Sequence, residues 1–312
     1  MKRQRGVALI IALIVVALAT ILAARLGSQA ALDQRRAGNL ILQEQALQVA
    51  FGAEAWAEEV LRQQSESGAP RDSLDQLWAT PLPPLPIDGG TIQGAIEDMQ
   101  GRFNLNNIVN VDGTRNDFYY AQFQRLLAVL QLEPKWAPLL LDWIDKDNLA
   151  TLPDGAEDGE YLAQVPPYLP ANQPITSTSE LLALPGFGRE RYLRIAPFVA
   201  ALPVGTQLNT CTASGVVLMT LADNMSYDFA GNAESLTANR QKGCFPMPSD
   251  LQNDIPGPAY AMINANNVLS QKTSWFRVTV LVSIGTSEFT LYSLLQRNGP
   301  IPRPILRTFG TE

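Results

Sequence analysis

The 312-residue sequence contains no histidine. That removes the commonest general base, the Ser-His-Asp and Cys-His nucleophile arrangements, and most zinc sites. Charge is sparse at 17% of residues and leans acidic, with a formal net charge of −7 and a pI near 4.8. Phosphate binding draws its affinity from Lys and Arg, so this balance argues against a nucleic-acid partner. Calcium, which takes hard oxygen ligands, suits such a chain. There are only two cysteines, Cys211 and Cys244. In an oxidising compartment an even pair reads as one disulfide, and the alternative is two reduced, buried thiols.

What the sequence has in quantity is apolar residues, 46% of the total, and they are unevenly placed. Residues 7–24 hold no charge and one hydroxyl, Thr20. As a helix this stretch spans about 27 Å, close to the roughly 30 Å of a hydrocarbon core. Lys2, Arg3 and Arg5 precede it, which places the N-terminus in the cytoplasm and everything after Arg25 on the other side. Three readings compete: a cleaved secretory signal, a plain anchor, and the special leader of type IV pilin-like proteins. The following residues disfavour the first. No proline interrupts residues 28–64, and Leu32, Leu40, Leu47, Phe51, Val60 and Leu61 recur near helical spacing against Gln, Glu and Arg. A membrane helix thus continues into an amphipathic one and stops at the Ser65-Glu66-Ser67-Gly68-Ala69-Pro70 breaker.

Beyond the breaker, Pro81, Pro83, Pro84 and Pro86 predict a stiff extended linker. Residues 91–98 alternate as a strand, and 101–106 read as a second extended piece. Between 111 and 203 the period becomes helical, with Phe118, Phe123, Leu126, Leu127 and Leu130 on one helix and Leu139, Leu140, Trp143 and Ile144 on another. Helices are also expected over 214–223 and 233–242. Residues 275–283 and 288–295 alternate as two strands about Ile284-Gly285-Thr286-Ser287, after which Gly299-Pro300, Pro302 and Pro304 are expected to end regular structure. The fold class is therefore α+β. A long N-terminal helix packs on an antiparallel sheet whose sequence is interrupted by a helical subdomain.

Two acidic runs lie in that subdomain. Asp142, Asp145 and Asp147 form the first, and Asp154, Glu157 and Asp158 fall in the second. Carboxylates this dense repel unless solvated, paired or bridged by a cation. The spacing is not that of an EF-hand, since counting from Asp145 the sixth position is Ala150 and the twelfth is Ala156. A solvated acidic loop and a calcium site remain open. Further on, residues 179–188 resemble a helix-hairpin-helix turn. Positions 117–202 carry eleven acidic residues against six basic ones, so the turn reads as a packing unit and not as a phosphate contact.

The basic leader ending in Gly6, the long spine, and Phe103-Asn104-Leu105-Asn106, Asp142-Trp143-Ile144-Asp145, Gly155-Ala156-Glu157-Asp158, the hairpin, Leu208-Asn209 and Thr212-Ala213 together carry a family resemblance. Over nearly the whole length the chain resembles the K-class minor pseudopilins of type II secretion. One position departs from the pattern: the family tends to read Asn-Thr-Ala where this chain has Cys211-Thr212-Ala213.

The resemblance implies segments at 1–6 (prepilin leader), 7–24 (membrane helix), 25–64 (amphipathic helix), 65–110 and 204–312 (the two parts of the α/β domain) and 111–203 (helical insert). It implies cleavage by a prepilin peptidase between Gly6 and Val7, and single-pass insertion in the inner membrane with the bulk of the chain in the periplasm. It also implies a place at the tip of a pseudopilus beside I- and J-class pseudopilins, with H-class and major pseudopilins as further neighbours, in the export of folded proteins. Calcium would sit in the insert, with Asp142, Asp145, Asp147, Asp154, Glu157 and Asp158 as ligand candidates. Ile11 stands where pilin-like subunits usually carry a glutamate that contacts a neighbour, and its absence suits a terminal subunit. The competing reading from another class is a membrane-tethered hydrolase using these carboxylates as acid and base. That reading requires a raised pKa and a concave cleft.

Overall fold

The computed structural model describes residues 5–221, 237, 243–244, 257–285, 287–299 and 301–310. Helix α1 (Arg5–Glu66) is continuous through the apolar and amphipathic segments, with no proline to break its hydrogen bonds. Residues 7–41 of it are exposed, and packing begins only at Leu42. From there Ala46, Ala50, Glu54, Ala57 and Leu61 are buried, one face at steps of three and four. The three alanines let the helix axis lie close to the sheet.

That sheet has five antiparallel strands in the order β1 (Leu82–Ile87), β2 (Gly90–Asp98), β7 (Trp275–Ile284), β8 (Ser287–Gln296) and β9 (Arg303–Phe309). On β7, Phe276, Val278, Val280, Val282 and Ile284 alternate inward and meet α1, as a period of two requires of a strand with one covered face. The proline-rich segment expected as a linker is strand β1. It tolerates Pro83, Pro84 and Pro86 because it is an edge strand, where unpaired N–H groups are not needed. Pro304 likewise sits inside edge strand β9, where regular structure was expected to have ended.

Residues 99–274 intervene between the paired strands β2 and β7. They contain β3 (Phe103–Asn104), α2 (Asp117–Val129), α3 (Trp136–Ile144), α4 (Asp158–Leu162), α5 (Gly188–Ile195), β4 (Val199–Ala200), β5 (Leu208–Asn209), α6 (Gly215–Met219), α7 (Gly257–Ala265) and β6 (Leu269–Ser270). Their shared core runs from Phe103 through Phe123, Trp136, Trp143, Tyr161 and Ile195 to Leu218, Ile263 and Val268. The helical unit thus packs as one body on both sides of the expected 111–203 span.

Residues 101–106 do not join the main sheet. Phe103 and Asn104 pair in parallel with Val199 and Ala200, and a 3-10 turn, Leu105–Ile108, follows. Of the helix expected over 214–223, only Gly215–Met219 is helical among the described residues, and residues 222 and 223 lie outside them. So do the helix expected over 233–242 (residue 237 excepted), Thr286 of the final turn and Pro300.

Candidate functional site

The Phe103-Asn104-Leu105-Asn106 motif shows how the helical unit closes. The Asn106 amide donates to Ile175 O (2.9 Å) and Leu202 O (2.8 Å), and its oxygen accepts Ile175 N–H at 2.8 Å. Asn104 accepts Leu202 N–H at 3.0 Å and donates to Pro203 O at 2.9 Å. Asn107 bridges Gly205 N and Thr206 O. These buried amides saturate main-chain groups that would otherwise be orphaned. The sequence marks these positions but does not disclose this role.

The hairpin at 179–188 also works by packing. Trp136 and Phe187 meet edge to face at 5.0 Å. Arg191 holds Glu133 in two hydrogen bonds and lies over Trp136, and Arg194 donates to Leu130 O. Two of the three arginines of α5 are thus engaged within the chain.

The acidic runs meet at the C-terminal end of α3. Asp142 is fully buried, and its carboxylate accepts the Thr151 N–H at 3.0 Å, folding the loop back toward the helix. Gly155 closes the loop by donating to Thr151 O at 2.7 Å. A Cβ on residue 155 would lie 2.1 Å from Asp142 Oδ2 and 2.5 Å from Thr151 backbone atoms, so only glycine fits. With the loop closed, one oxygen each of Asp145, Asp147 and Glu157 lie within 4.8 Å of one another.

Of the six carboxylates singled out in sequence, the structure thus gathers Asp145, Asp147 and Glu157. Asp142 braces the loop. Asp154 is exposed outside the cluster, and Asp158 opens α4.

Asp145 Oδ1 and both Glu157 carboxylate oxygens are buried with no hydrogen-bond partner. Burial, followed by the repulsion of Asp147 and Asp142, pushes Asp145 up to about 7. Burial, then Asp142, Asp145, Asp147 and Asp158, does the same for Glu157, again to about 7. Buried oxygens without donors are costly unless protonated or bridged by a cation. Three carboxylate oxygens at this separation can share an ion whose bonds are about 2.3–2.6 Å long. The donor set is all oxygen, which fits calcium.

Cys211 and Cys244 are joined by a disulfide with a Cα separation of 4.2 Å. Ile11 is 56% exposed, one of a run of exposed apolar residues on α1 that includes Val7, Leu9, Ile14 and Leu18. That run carries a mean hydropathy of 3.1, with none of the most apolar window buried, making α1 a candidate membrane anchor.

Residues 101–204 match the family model of the type II secretion system (T2SS) protein K. A "Type II secretion system protein K" from Pseudomonas aeruginosa is 36% identical over 306 residues, covering 95% of this chain and 90% of that protein. The one from Aeromonas hydrophila is 32% identical over 313 residues, covering 95% and 94%. Among solved structures, the crystal structure of the GspK-GspI-GspJ complex from the enterotoxigenic Escherichia coli type 2 secretion system contains a chain that superposes with a TM-score of 0.73. That chain is 26% identical and is covered to 97%, against 86% of this one. A relative 36% identical along almost the entire length of both chains places the spine, the sheet and the helical unit in one lineage, and the chain belongs to the type II secretion system protein K family.

Proposed function

We propose that this chain is a minor pseudopilin of type II secretion that sits at the tip of the pseudopilus with I- and J-class pseudopilins and supports export of folded proteins. The observation that carries the reading is similarity over 95% of the chain to proteins of this name. The GspK-GspI-GspJ complex supplies the partners. Helix α1 supplies the means: its exposed apolar half anchors in the inner membrane, and its buried half fixes the head on the periplasmic side. Ile11 suits the tip because an intramembrane glutamate would cost several kcal/mol unless paired with a neighbour.

The role proposed is assembly, the part that relatives of this name and the GspK-GspI-GspJ complex support. We assign calcium to Asp145, Asp147 and Glu157, where the ion would neutralise the three carboxylates and hold the Asp142–Gly155 loop closed.

Co-expression with I- and J-class pseudopilins, detergent extraction and cross-linking tests the reading. One complex with this chain at an end is expected. Copies of this chain cross-linked to one another along a filament shaft would exclude the tip position, and failure to co-purify would exclude the partners.

A further inference from the structure

The two edges of the five-stranded sheet are chemically unequal. In β1, Pro83, Pro84 and Pro86 remove N–H donors from half of the six positions, so that edge cannot pair with another strand. In β9 the only proline is Pro304, at the irregularity where pairing with Leu294 and Leu295 shifts register.

Past that point the edge is open. Gly310 N donates to Thr290 O at 2.9 Å, and antiparallel pairs alternate between bonded and non-bonded. Leu306 and Thr308 therefore direct their backbone groups to β8, while Arg307 and Phe309 direct theirs outward. Among the described residues no other element bonds to the outward groups of Arg307 and Phe309.

The side chains beside this edge have a definite character. Arg307 is held by two hydrogen bonds to Glu54 of α1 and lies over Phe51. Glu58, one turn further along α1, feels both Glu54 and Arg307, and no hydrogen bond or ion pair engages it among the described residues. Two carboxylates thus face a single cation. Phe309, 51% exposed, extends the apolar surface begun by Phe289, whose ring centroid is 5.6 Å away.

We propose that β9 is a docking edge for an extended segment of a partner protein, which adds to the sheet as a further strand. It would set an apolar side chain against Phe309 and a Lys or Arg against Glu58. Main-chain bonds to Arg307 and Phe309 would supply affinity, and the unpaired carboxylate would supply selectivity for a basic residue.

The test is residue-resolved hydrogen exchange on the full-length chain in detergent, with and without a short peptide of alternating Val and Thr carrying one central Lys. The Arg307 and Phe309 amides should slow by about tenfold or more, while Leu306 and Thr308, already bonded to β8, stay unchanged. Glu58→Gln should weaken peptide binding about threefold. Phe309→Pro, which removes an outward donor and leaves the β8 ladder intact, should abolish the slowing at Arg307. No slowing at saturating peptide, equal slowing in Phe309→Pro, or slowing without peptide that grows with protein concentration would each overturn the assignment, the last by giving the edge to a second copy of this chain.

Discussion

The Asp98 carboxylate accepts the Asn209 side-chain amide at 2.7 Å across 111 residues of chain, and this contact lies where the sheet meets the helical unit. Asp98 ends β2 and also receives Thr212 Oγ1, Thr273 Oγ1 and Gln100 N–H, at 2.6, 2.6 and 2.7 Å. Asn209 donates in turn to Asp72 O at 3.0 Å, and Asp72 pairs with Arg297. Burial pushes the Asp98 carboxyl above its ordinary value, while four donors oppose that shift.

Asp98→Asn conserves shape but turns an amide N–H2 toward groups that are themselves donors. It should cost on the order of 2 kcal/mol or more, read as a lower urea midpoint of the detergent-solubilised chain. Asp98→Ala should cost at least as much, because four donors lose their acceptor. An unchanged midpoint in Asp98→Asn would mean that the junction is solvated.

Periodicity made the fold legible where a single face decides burial. Phe123, Leu126 and Leu127 on α2, and the alternating valines of β7, sit where their spacing places them. Prolines misled at β1 and β9 because an edge strand needs no outward N–H, and edge position is set by tertiary pairing that no local pattern encodes. The same limit applies to the acidic runs. Asp142 and Asp145 stand three residues apart on the sequence. The first turns inward to brace Thr151 and the second reaches the cluster, which depends on where α3 ends. The asparagines of residues 104–107 face a similar ambiguity, since their partners lie 69 to 99 residues away.

Removing calcium should leave Asp145 and Glu157 facing each other without compensation. Excess chelator should lower the melting temperature of the chain, the loss being about 2.7 kcal/mol if the ion had been present at a hundredfold excess over Kd. In chelator the pH dependence follows from folded-state pKa values of about 7 for both groups, above the ordinary carboxylate range. The folded state then binds more protons than the unfolded one between about pH 4 and 7. The contribution of these two groups should be greatest below that window and decline as pH rises through about 7. A melting curve indifferent to chelator would reduce the cluster to a solvated loop.

Gly155→Ala probes the loop without touching a carboxylate. Its Cβ would fall 2.1 Å from Asp142 Oδ2, so the Thr151 turn must open, at a cost of about 1–3 kcal/mol as for other overpacked sites. Calcium affinity, followed by isothermal titration, should fall with it. Gly159→Ala is the matched control, because nothing lies within 4 Å of a Cβ there. Equal behaviour of the two variants would remove the loop-closing role of Gly155.

The disulfide between Cys211 and Cys244 spans a sequence separation of 33 and fastens the segment just after Asn209 to a distant part of the chain. Reduction should cost about 2–4 kcal/mol. Both cysteines are fully buried, so thiol labelling of the native chain should stay slow until a reductant or denaturant opens the unit. Two free thiols in denatured, unreduced protein would refute the bond.

Cleavage between Gly6 and Val7 is the prediction on which the membrane arrangement depends. Gly6 directly follows Arg5 at the start of the apolar run, and glycine is the residue that a peptidase with a small pocket would accept there. Intact-mass measurement of membrane-purified protein should show loss of residues 1–6 and N-methylation of Val7. The cleaved chain keeps the whole apolar helix and should remain in the membrane fraction after carbonate washing. A mature N-terminus after Ala24 would instead mean an ordinary secretory signal. It would remove the anchor, release the chain into the periplasm, and leave α1 with only its sheet-packed half.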